Sequence, residues 1–214
     1  MSPLSQLNFD RIYVINLKRR PDRWEHAGKQ LADAGIECKQ YEAVDGQQLQ
    51  LKHPFMTAGM VGCWMTHRDI FKEAVENGYE SILIFEDDLK LIDGFNLMLS
   101  LSLSKLPADW EFVYLGYTHY DDQPKTGLQK VNDFWIVPAN CWGTQGYMVR
   151  GKEAIRKVYE GIKEVSKEQW QVDQQISMSI LPESGLRYYA HYPSVVRQAG
   201  LTSDVQTQKL IFNE

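Results

Sequence analysis

The residues best suited to chemistry follow one short apolar run. Ile82 to Phe85 are apolar, and three carboxylates, those of Glu86, Asp87 and Asp88, follow without a gap. A short apolar run bounded by polar residues predicts a buried strand. Three crowded carboxylates repel one another and are costly to desolvate, so they indicate a positively charged partner.

Three interpretations of this acidic triplet are open. The first is a solvated turn after a strand, because turns favour Asp. The second is a site of hard oxygen ligands in which a divalent cation clamps a diphosphate. The third is the two-metal site of a phosphohydrolase or nuclease. The last option requires further acids from neighbouring strands and a basic approach surface, and the sequence offers few of either.

A basic segment follows the first predicted strand. It contains Asn16, Lys18, Arg19, Arg20 and Arg23. Guanidinium groups suit phosphate because they offer forked donors. For any single arginine, surface charge at the start of a helix is the simpler interpretation. The phosphate interpretation gains weight because this segment and the acidic strand end are expected on the same rim of one sheet.

Composition and charge narrow the class of protein. The 214 residues carry a net charge of −5, and 43% of them are hydrophobic, so the chain lacks the basic field that gathers nucleic acid. Cys38, Cys63 and Cys141 are widely separated, which argues against a disulfide framework or zinc knuckle and favours a reducing compartment. We therefore expect no nucleic-acid partner.

The N-terminal segment and the hydropathy pattern bear on location. The segment MSPLSQLNFDRI lacks the features of a signal peptide, and no apolar run approaches the roughly 18 residues that a spanning helix requires. The sequence thus predicts a cytoplasmic protein without a transmembrane segment, which leaves peripheral membrane contact open.

The elements that must position these residues alternate along the chain. Strands are predicted for RIYVINL, ECKQYEAVDG, the run before the acids, DWEFVYLGY, two short pieces around Asn140 and Gly143, and LRYYAHY. Helices are predicted from Pro21 to Gly35, for TAGMVGCWMTHRDIFKEAVENG, FNLMLSLSLSKL and KEAIRKVYEGIKEV, and at QVDQQISMSI. Such alternation predicts an α/β fold: a mostly parallel sheet with helices on both faces. Ligands of these sheets bind beyond the carboxyl ends of the strands, where the acids are expected.

The chain resembles glycosyltransferase family 25, which includes bacterial lipooligosaccharide galactosyltransferases and collagen hydroxylysine galactosyltransferases. The resemblance runs from about Arg11 to Val205 and depends on an ordered set of segments. These segments are IYVINLKRRPDRW, YEAVDG, GMVGCWMTHRDIF, ILIFEDDL, DWEFVYLG, GTQGYMV, VDQQ and PSVVRQAGLTSDV.

The resemblance implies one Rossmann-like GT-A domain over residues 1–214. It also implies a UDP-sugar donor, a divalent cation, usually Mn²⁺, and inversion at the anomeric carbon. Glu86-Asp87-Asp88 takes the place of the family's Asp-x-Asp motif, with Asp88 and Glu86 as metal ligands. The residues expected to contact the donor and its cation are Asn16, Leu17, Arg19, Arg20, Arg23, Asp45, Thr66, His67, Glu86, Asp87, Gln198, Ser203 and Asp204.

Asp173 is the candidate catalytic base on this resemblance. An inverting transferase needs a carboxylate that takes the proton of the acceptor hydroxyl. Without the resemblance, a helix N-cap is the better interpretation of Asp173. Where the family tends to show Asp-Trp, this chain has Asp173-Gln174, which removes an aromatic platform for the acceptor and retains the carboxylate.

The Thr66-His67 pair and several aromatic residues each have a structural and a functional interpretation. Thr66-His67 stands where the family usually has Ser-His, so the hydroxyl is retained. His67 lies on the apolar stripe of its helix, and a hydrogen-bonded core histidine is as good an interpretation as a substrate contact. Several aromatic residues can stack on sugars or simply pack the core: Trp142, Tyr147, Tyr114, Tyr117, Tyr120 and Trp135. Of these, we nominate only Trp142 and Tyr147 as sugar contacts.

The function expected from this sequence is transfer of a hexose, namely galactose, from UDP to a glycan, lipooligosaccharide or other hydroxylated acceptor. One alternative is a catalytically silent carbohydrate-binding or scaffold protein of the same fold. Another is a metal-dependent phosphohydrolase, which would release phosphate from simple phosphate esters.

Overall fold

The fold is seen in a computed structural model. It describes residues 2–50, 53–118, 129–139, 141–166 and 170–201. The strands of this part of the chain are β1 (Arg11–Asn16), β2 (Lys39–Glu42), β3 (Ser81–Glu86), β4 (Leu89–Leu91), β5 (Phe112–Thr118), β6 (Gln129–Lys130), β7 (Trp135–Val137), β8 (Trp142–Arg150), β9 (Tyr188–His191) and β10 (Val196–Gln198). The main helices are α1 (Pro21–Asp33), α2 (Ala58–Glu76), α3 (Phe95–Leu103) and α4 (Lys152–Ile162).

Short helical segments complete the described structure. Pro3–Leu7 and Gly46–Gln48 form 3₁₀ turns. Between α4 and β9 lie α5 (Val172–Gln174), a π-helical stretch (Gln175–Ile180) and α6 (Leu181–Glu183). None of the described helices is both long and apolar enough to cross a membrane.

Eight strands form one sheet in the order β2-β1-β3-β8-β5-β9-β7-β6. β1 pairs in parallel with β2 and β3, and β5 pairs in parallel with β9. β8 runs antiparallel between β3 and β5, and β7 runs antiparallel between β9 and β6. Within the described residues, six of the eight strands therefore point the same way, which confirms the predicted mostly parallel sheet.

Helices cover both faces of this sheet, as predicted. Alternate residues of β3 separate into two cores, with Ile82 and Ile84 in one and Leu83 and Phe85 in the other. The first core is completed by α2 and α4, and the second by α1 and α3. Because β3 is buried on both sides, its sequence is a continuous apolar run rather than an alternating one.

The ends of the helices follow from local chemistry. Pro21 occupies the first turn of α1, where its missing N–H costs nothing, and Gly35 follows the helix at φ +70°. At the start of α2 the Thr57 side chain accepts a hydrogen bond from the Met60 N–H at 3.2 Å. These ends agree with the predicted boundaries.

Three features differ from the sequence prediction. The segment expected as a short extended piece around Gly143 is the nine-residue strand β8, and Gly143 lies near its start at φ +82°. QVDQQISMSI is helical, but most of it follows the wider π-helical path. A second, two-stranded sheet joins β4 to β10, and no sequence pattern predicted either strand. Strands this short lack enough residues to show a period.

The sheet brings several strand ends to one edge. Ile15, next to the end of β1, is in register with Glu86 at the end of β3. Because β8 is antiparallel, its first residues lie at this same edge, where Trp142 is in register with Thr118 at the end of β5. This edge collects the polar residues described below.

Candidate active site

A buried ion network joins α1 to the turn after β3. The Arg23 guanidinium donates through Nη1 to Asp87 Oδ1 at 2.8 Å and through Nη2 to Asp88 Oδ2 at 3.3 Å. All three residues are at most 6% exposed. The arginine that we expected to bind phosphate therefore supplies a positive partner to two of the three acids.

Amide side chains complete this network. Asn16 at the end of β1 donates to Asp87 Oδ2 at 2.7 Å, and its own Oδ1 accepts from Gln40 at 2.8 Å. Gln198 donates to Asp88 Oδ2 at 2.9 Å. The antiparallel pairing of β4 with β10 brings Gln198 next to Asp88, because it places Gln198 opposite Leu89, the residue that follows Asp88. The network therefore draws on β1, α1, β2, the turn after β3 and β10.

Burial and mutual repulsion shift Glu86 and Asp87 towards their neutral forms. Burial raises the pKa of Asp87 to about 6, although the Arg23 charge and the Asn16 hydrogen bond oppose that shift. Burial also raises the pKa of Glu86, and the negative charges of Asp88 and Asp173 raise it further. Such repulsion is relieved by any added positive charge, so the site favours binding a cation.

Glu86 faces α2 rather than Arg23. Thr144 on β8 donates its hydroxyl to Glu86 Oε1 at 2.5 Å. Nε2 of His67 lies 4.0 Å from the same oxygen, and Nδ1 of His67 is 2.7 Å from the Tyr147 hydroxyl. Burial lowers the pKa of His67 to about 4, so this imidazole is neutral at neutral pH. His67 is thus a hydrogen-bonded, fully buried histidine beside the acidic cluster.

Asp173 enters the same region from α5. Its Oδ2 accepts the Gly143 backbone N–H at 2.7 Å. Burial raises the pKa of this carboxyl. Burial also raises the pKa of Cys63 and of Glu86, and the negative charge of Asp173 adds to both shifts. The N-cap of this helix is Gln171, whose N–H is accepted by the Gln174 side chain at 2.9 Å, so Asp173 does not occupy the N-cap position.

Two polar atoms at this edge match the needs of a metal ligand. Among the described residues, neither Asp88 Oδ1 nor His67 Nε2 has a hydrogen-bond partner, although both are buried. An unpaired buried acceptor is costly, and a bound cation would remove that cost. Asp88 Oδ1 and the carboxylate of Glu86 are hard oxygen donors of the kind that Mg²⁺ and Mn²⁺ prefer. The residues present therefore fit a divalent cation.

The remaining predicted site residues occupy varied positions. Arg19 pairs with Asp45 at 3.0 Å, and Arg20 pairs with Asp22 at 2.8 Å, both near the surface. Thr66 is fully buried, where its hydroxyl donates to the Gly62 carbonyl and accepts from the Val44 N–H.

The rest of that set is less informative. Leu17 is half-buried, and its carbonyl accepts the Arg20 N–H at 2.8 Å. Ser203 and Asp204 lie outside the described residues, as does Tyr120 among the aromatic candidates.

The nomination of Tyr147 as a sugar-stacking residue is wrong in this structure. Its ring is fully buried and stacks against Phe71 and Phe112 in the core below the sheet edge. Tyr114 and Trp135 are likewise completely buried. Trp142, by contrast, is half-buried at the start of β8.

Sequence reasoning missed several residues of this edge. Thr144 and Gln145 lie in the GTQG segment, and both are nearly completely buried. Gln145 donates to the Thr118 hydroxyl at 3.2 Å. Cys63 lies within reach of His67 and Glu86. A signal for Cys63 was available, since it precedes His67 by one helical turn.

Comparison with known proteins identifies relatives by sequence. The model of glycosyltransferase family 25, described as an LPS biosynthesis protein family, matches residues 9–176. The chain is 27% identical to procollagen galactosyltransferase 1 of Danio rerio over 98% of its own length and 40% of that protein. It is 30% identical to procollagen galactosyltransferase 2 of Homo sapiens over 67% of its length and 26% of that protein.

Relatives named as inactive match almost as well. The chain is 28% identical to the inactive glycosyltransferase 25 family member 3 of Homo sapiens, over 68% of its length and 28% of that protein. The chain therefore spans about a quarter to two fifths of the length of these curated relatives.

A solved structure supports the fold. A glycosyltransferase involved in glycosylation of the major capsid of PBCV-1 is similar at a TM-score of 0.55 and 10% identity, over 91% of this chain and 94% of that one. This likeness concerns the fold alone, which is GT-A-like. The family match over residues 9–176, more than half of the chain, shows that the chain is a member of glycosyltransferase family 25.

Proposed function

We propose that this protein transfers a hexose, galactose, from a UDP-sugar to a hydroxyl group of a glycan, lipooligosaccharide or hydroxylated protein acceptor. The transfer inverts the anomeric carbon and uses a divalent cation, Mn²⁺. Relatives named procollagen galactosyltransferases support the choice of sugar. The observation that carries the proposal is the buried acidic cluster at the carboxyl edge of the sheet, in which Asp88 Oδ1 lacks a partner among the described residues.

The donor half of the site is built from β1, α1 and the turn after β3. Asp88 and Glu86 would hold the cation, which when bound would neutralise the diphosphate leaving group. Arg23, Asn16 and Gln198 hold Asp87 and Asp88 in place through the bonds described above. Arg19 and Arg20 lie nearer the surface, where their guanidinium groups are available to exchange carboxylate partners for phosphate.

The acceptor half is assigned to Asp173. Its raised pKa favours proton uptake, and its bond to the Gly143 N–H fixes the carboxylate. Attack at the anomeric carbon requires that the acceptor hydroxyl lose its proton as the new glycosidic bond forms. We propose that the carboxylate of Asp173 accepts that proton.

Domain extent and location complete the proposal. Residues 1–214 would act as one GT-A domain, since a single sheet includes strands from β1 near the N-terminus to β9. A reducing compartment, the cytoplasm, suits the three free cysteines, Cys38, Cys63 and Cys141.

A screen of UDP-sugars tests this function. Each sugar is incubated with the full chain, with Mn²⁺ or with EDTA, and release of UDP is measured with and without candidate glycan and hydroxylysine acceptors. We expect UDP release to depend on Mn²⁺, to be highest with UDP-galactose and to rise with the correct acceptor. Release of inorganic phosphate from simple esters would instead indicate a phosphohydrolase.

A catalytically silent donor-binding protein is the second candidate, and the relatives named inactive favour it. It predicts Mn²⁺-dependent binding of UDP in calorimetry without UDP release from any UDP-sugar. Because binding and turnover are measured separately, the two experiments together separate a silent protein from an active one.

A further inference from the structure

A second potential ligand set lies on the α2 side of the acidic cluster. Cys63 and His67 are four residues apart on α2 and therefore share one face of that helix. This face meets Glu86 at the end of β3. The Cys63 sulfur, a ring nitrogen of His67 and a Glu86 carboxylate oxygen all lie within 4.8 Å of one another.

A hydrogen bond with a neighbouring side chain orients His67 so that its other ring nitrogen can bind a metal. Its Nδ1 is 2.7 Å from the Tyr147 hydroxyl, and with Nδ1–H as the donor the lone pair of Nε2 points away from Tyr147. Nε2 lies 4.0 Å from Glu86 Oε1. His67 is completely buried, and within the described part of the chain this nitrogen has no hydrogen-bond partner. A ligating histidine commonly has its other ring nitrogen fixed in this way.

A hydrogen bond also orients the Glu86 carboxylate, and the partly exposed Glu86 side chain gives a cation access from solvent. The Thr144 hydroxyl donates to its Oε1, which leaves Oε2 available. The Glu86 side chain is 25% exposed, whereas His67 is not exposed at all. A cation can therefore enter past Glu86 and keep one position open towards solvent.

We propose that Cys63, His67 and Glu86 form a site for a borderline-soft divalent cation of the Zn²⁺ class, bound without any nucleotide. Sulfur, imidazole and carboxylate are the ligands that Zn²⁺ selects, and three of them with one open position are typical of tetrahedral zinc. Tetrahedral ligation needs ligand atoms about 3.3–3.8 Å apart, so side chains must close by roughly 1 Å. The Cys63 thiol loses its proton to solvent as the metal–sulfur bond forms, and no oxidation state changes.

This site differs in chemistry from the one proposed for the sugar donor. Asp88 offers hard oxygen that suits Mn²⁺, whereas Cys63 offers soft sulfur that Mn²⁺ does not favour. The two sites share only Glu86. The zinc-class site goes beyond the transferase function, because it requires neither UDP nor an acceptor.

Cobalt provides a direct probe of the thiolate ligand. The full chain is freed of metals with EDTA, exchanged into buffer and titrated with Co²⁺ alone. We expect one equivalent of Co²⁺ to produce a sulfur-to-cobalt charge-transfer band and intense visible bands of tetrahedral Co²⁺, which Zn²⁺ then removes. Cys63→Ser should lose the charge-transfer band, and the matched control Cys38→Ser should keep it. Tyr147→Phe should keep the band but weaken affinity about 10–100-fold, because only the orienting hydroxyl is lost.

A second measurement avoids dependence on variants that fold poorly. The wild-type chain is alkylated with iodoacetamide with and without Zn²⁺, and modification of each cysteine is measured by peptide mass spectrometry. We expect Zn²⁺ to slow alkylation of Cys63 at least about tenfold while Cys38 is unaffected, because the metal-bound thiolate is withheld from reaction. Absence of the charge-transfer band in the wild type, its survival in Cys63→Ser, or equal alkylation of Cys63 with and without Zn²⁺ would each overturn the proposal.

The outcome is independent of the transferase proposal. Asp88→Asn should retain the cobalt band, since Asp88 belongs to the donor site only. A chain that shows the band but no Mn²⁺-dependent UDP binding would refute the transferase proposal alone. The reverse result would refute the zinc-class site alone.

Discussion

Arg23 Nη1 lies 2.8 Å from Asp87 Oδ1, although the two residues are 64 positions apart in the chain. The two side chains are 7% and 8% exposed, so the pair is shielded from water. This ion pair ties α1 to the turn after β3 and keeps two crowded acids in one place. It makes Arg23 a structural member of the site as well as a source of positive charge.

Removing the Arg23 charge should destabilise the fold. Arg23→Ala removes the guanidinium that donates to buried Asp87 and Asp88, and loss of one member of a buried ion pair costs about 3–5 kcal/mol. Arg20→Ala is the matched control, because Arg20 pairs with an exposed Asp22 at the start of the same helix. Urea denaturation should show a large loss of unfolding free energy for Arg23→Ala and a much smaller one for Arg20→Ala. Equal losses would contradict the structural role of Arg23.

Asp88→Asn should abolish the contribution of Mn²⁺ to UDP binding. The amide still accepts a hydrogen bond from Gln198, but it carries no charge for a cation. Calorimetric titration should give the variant the same weak UDP affinity with Mn²⁺ as with EDTA, and circular dichroism should be unchanged. Asp93→Asn, an exposed acid in the next turn, is the control. An unaltered UDP affinity in Asp88→Asn with Mn²⁺ would exclude Asp88 as a metal ligand.

Asp173→Asn should slow transfer while donor binding is retained. The amide oxygen can still accept the Gly143 N–H, but the side chain can no longer take a proton. Removal of a general base typically costs about 10²–10⁴ in rate. Transfer rate and UDP affinity are measured on the same variant, with Glu183→Gln as an exposed control in α6. Near-normal turnover would remove Asp173 from the mechanism.

Gly46→Ala should destabilise the protein because the loop before α2 leaves no room for a side chain. A Cβ at Gly46 would collide with the Ala58 carbonyl group, and backbone cannot move aside as a side chain can. We expect a loss of about 1–3 kcal/mol of unfolding free energy. Gly28→Ala in α1 is the control, since its Cβ would meet no atom within 4 Å. That change should stabilise by about 0.5–1 kcal/mol, and a loss there would contradict the packing described.

His191 should make stability depend on pH. Burial lowers the pKa of this fully buried ring below its ordinary value of 6.5, so the unfolded chain binds protons more readily between the two values. The stabilising contribution is complete above about pH 6.5 and is lost as the pH falls below it.

His191→Asn tests this dependence, since the amide can still donate to the Pro193 carbonyl but does not titrate. The stability advantage of the wild type over the variant should shrink between pH 7.5 and 5.5, as measured by urea denaturation in EDTA. A constant difference would show that His191 does not titrate in this range.

The sequence alone determined most of the longer elements and the sheet edge at which the acidic triplet lies. The apolar run from Ile82 to Phe85 predicted a strand buried on both faces, and both cores contain its side chains. The helix containing Cys63 and His67 was predicted from its 3.6-residue period and its terminal residues. Strand and helix patterns repeat over neighbouring positions, so local sequence is enough to show them. The alternation of strands with helices then placed the acids at the carboxyl edge.

Only the tertiary structure decided which partners meet at that edge. Asp88 receives Gln198 from 110 positions away because two three-residue strands, β4 and β10, pair beside the main sheet. Asp173 reaches the Gly143 N–H across 30 positions, from a three-residue helix that is too short to show a period. Such contacts depend on the paths of connections and on packing between distant segments. Local sequence has no periodic pattern that reports these paths. The acids and Arg23 were therefore visible in the sequence, while the pairing of Arg23 with Asp87 and Asp88 was not.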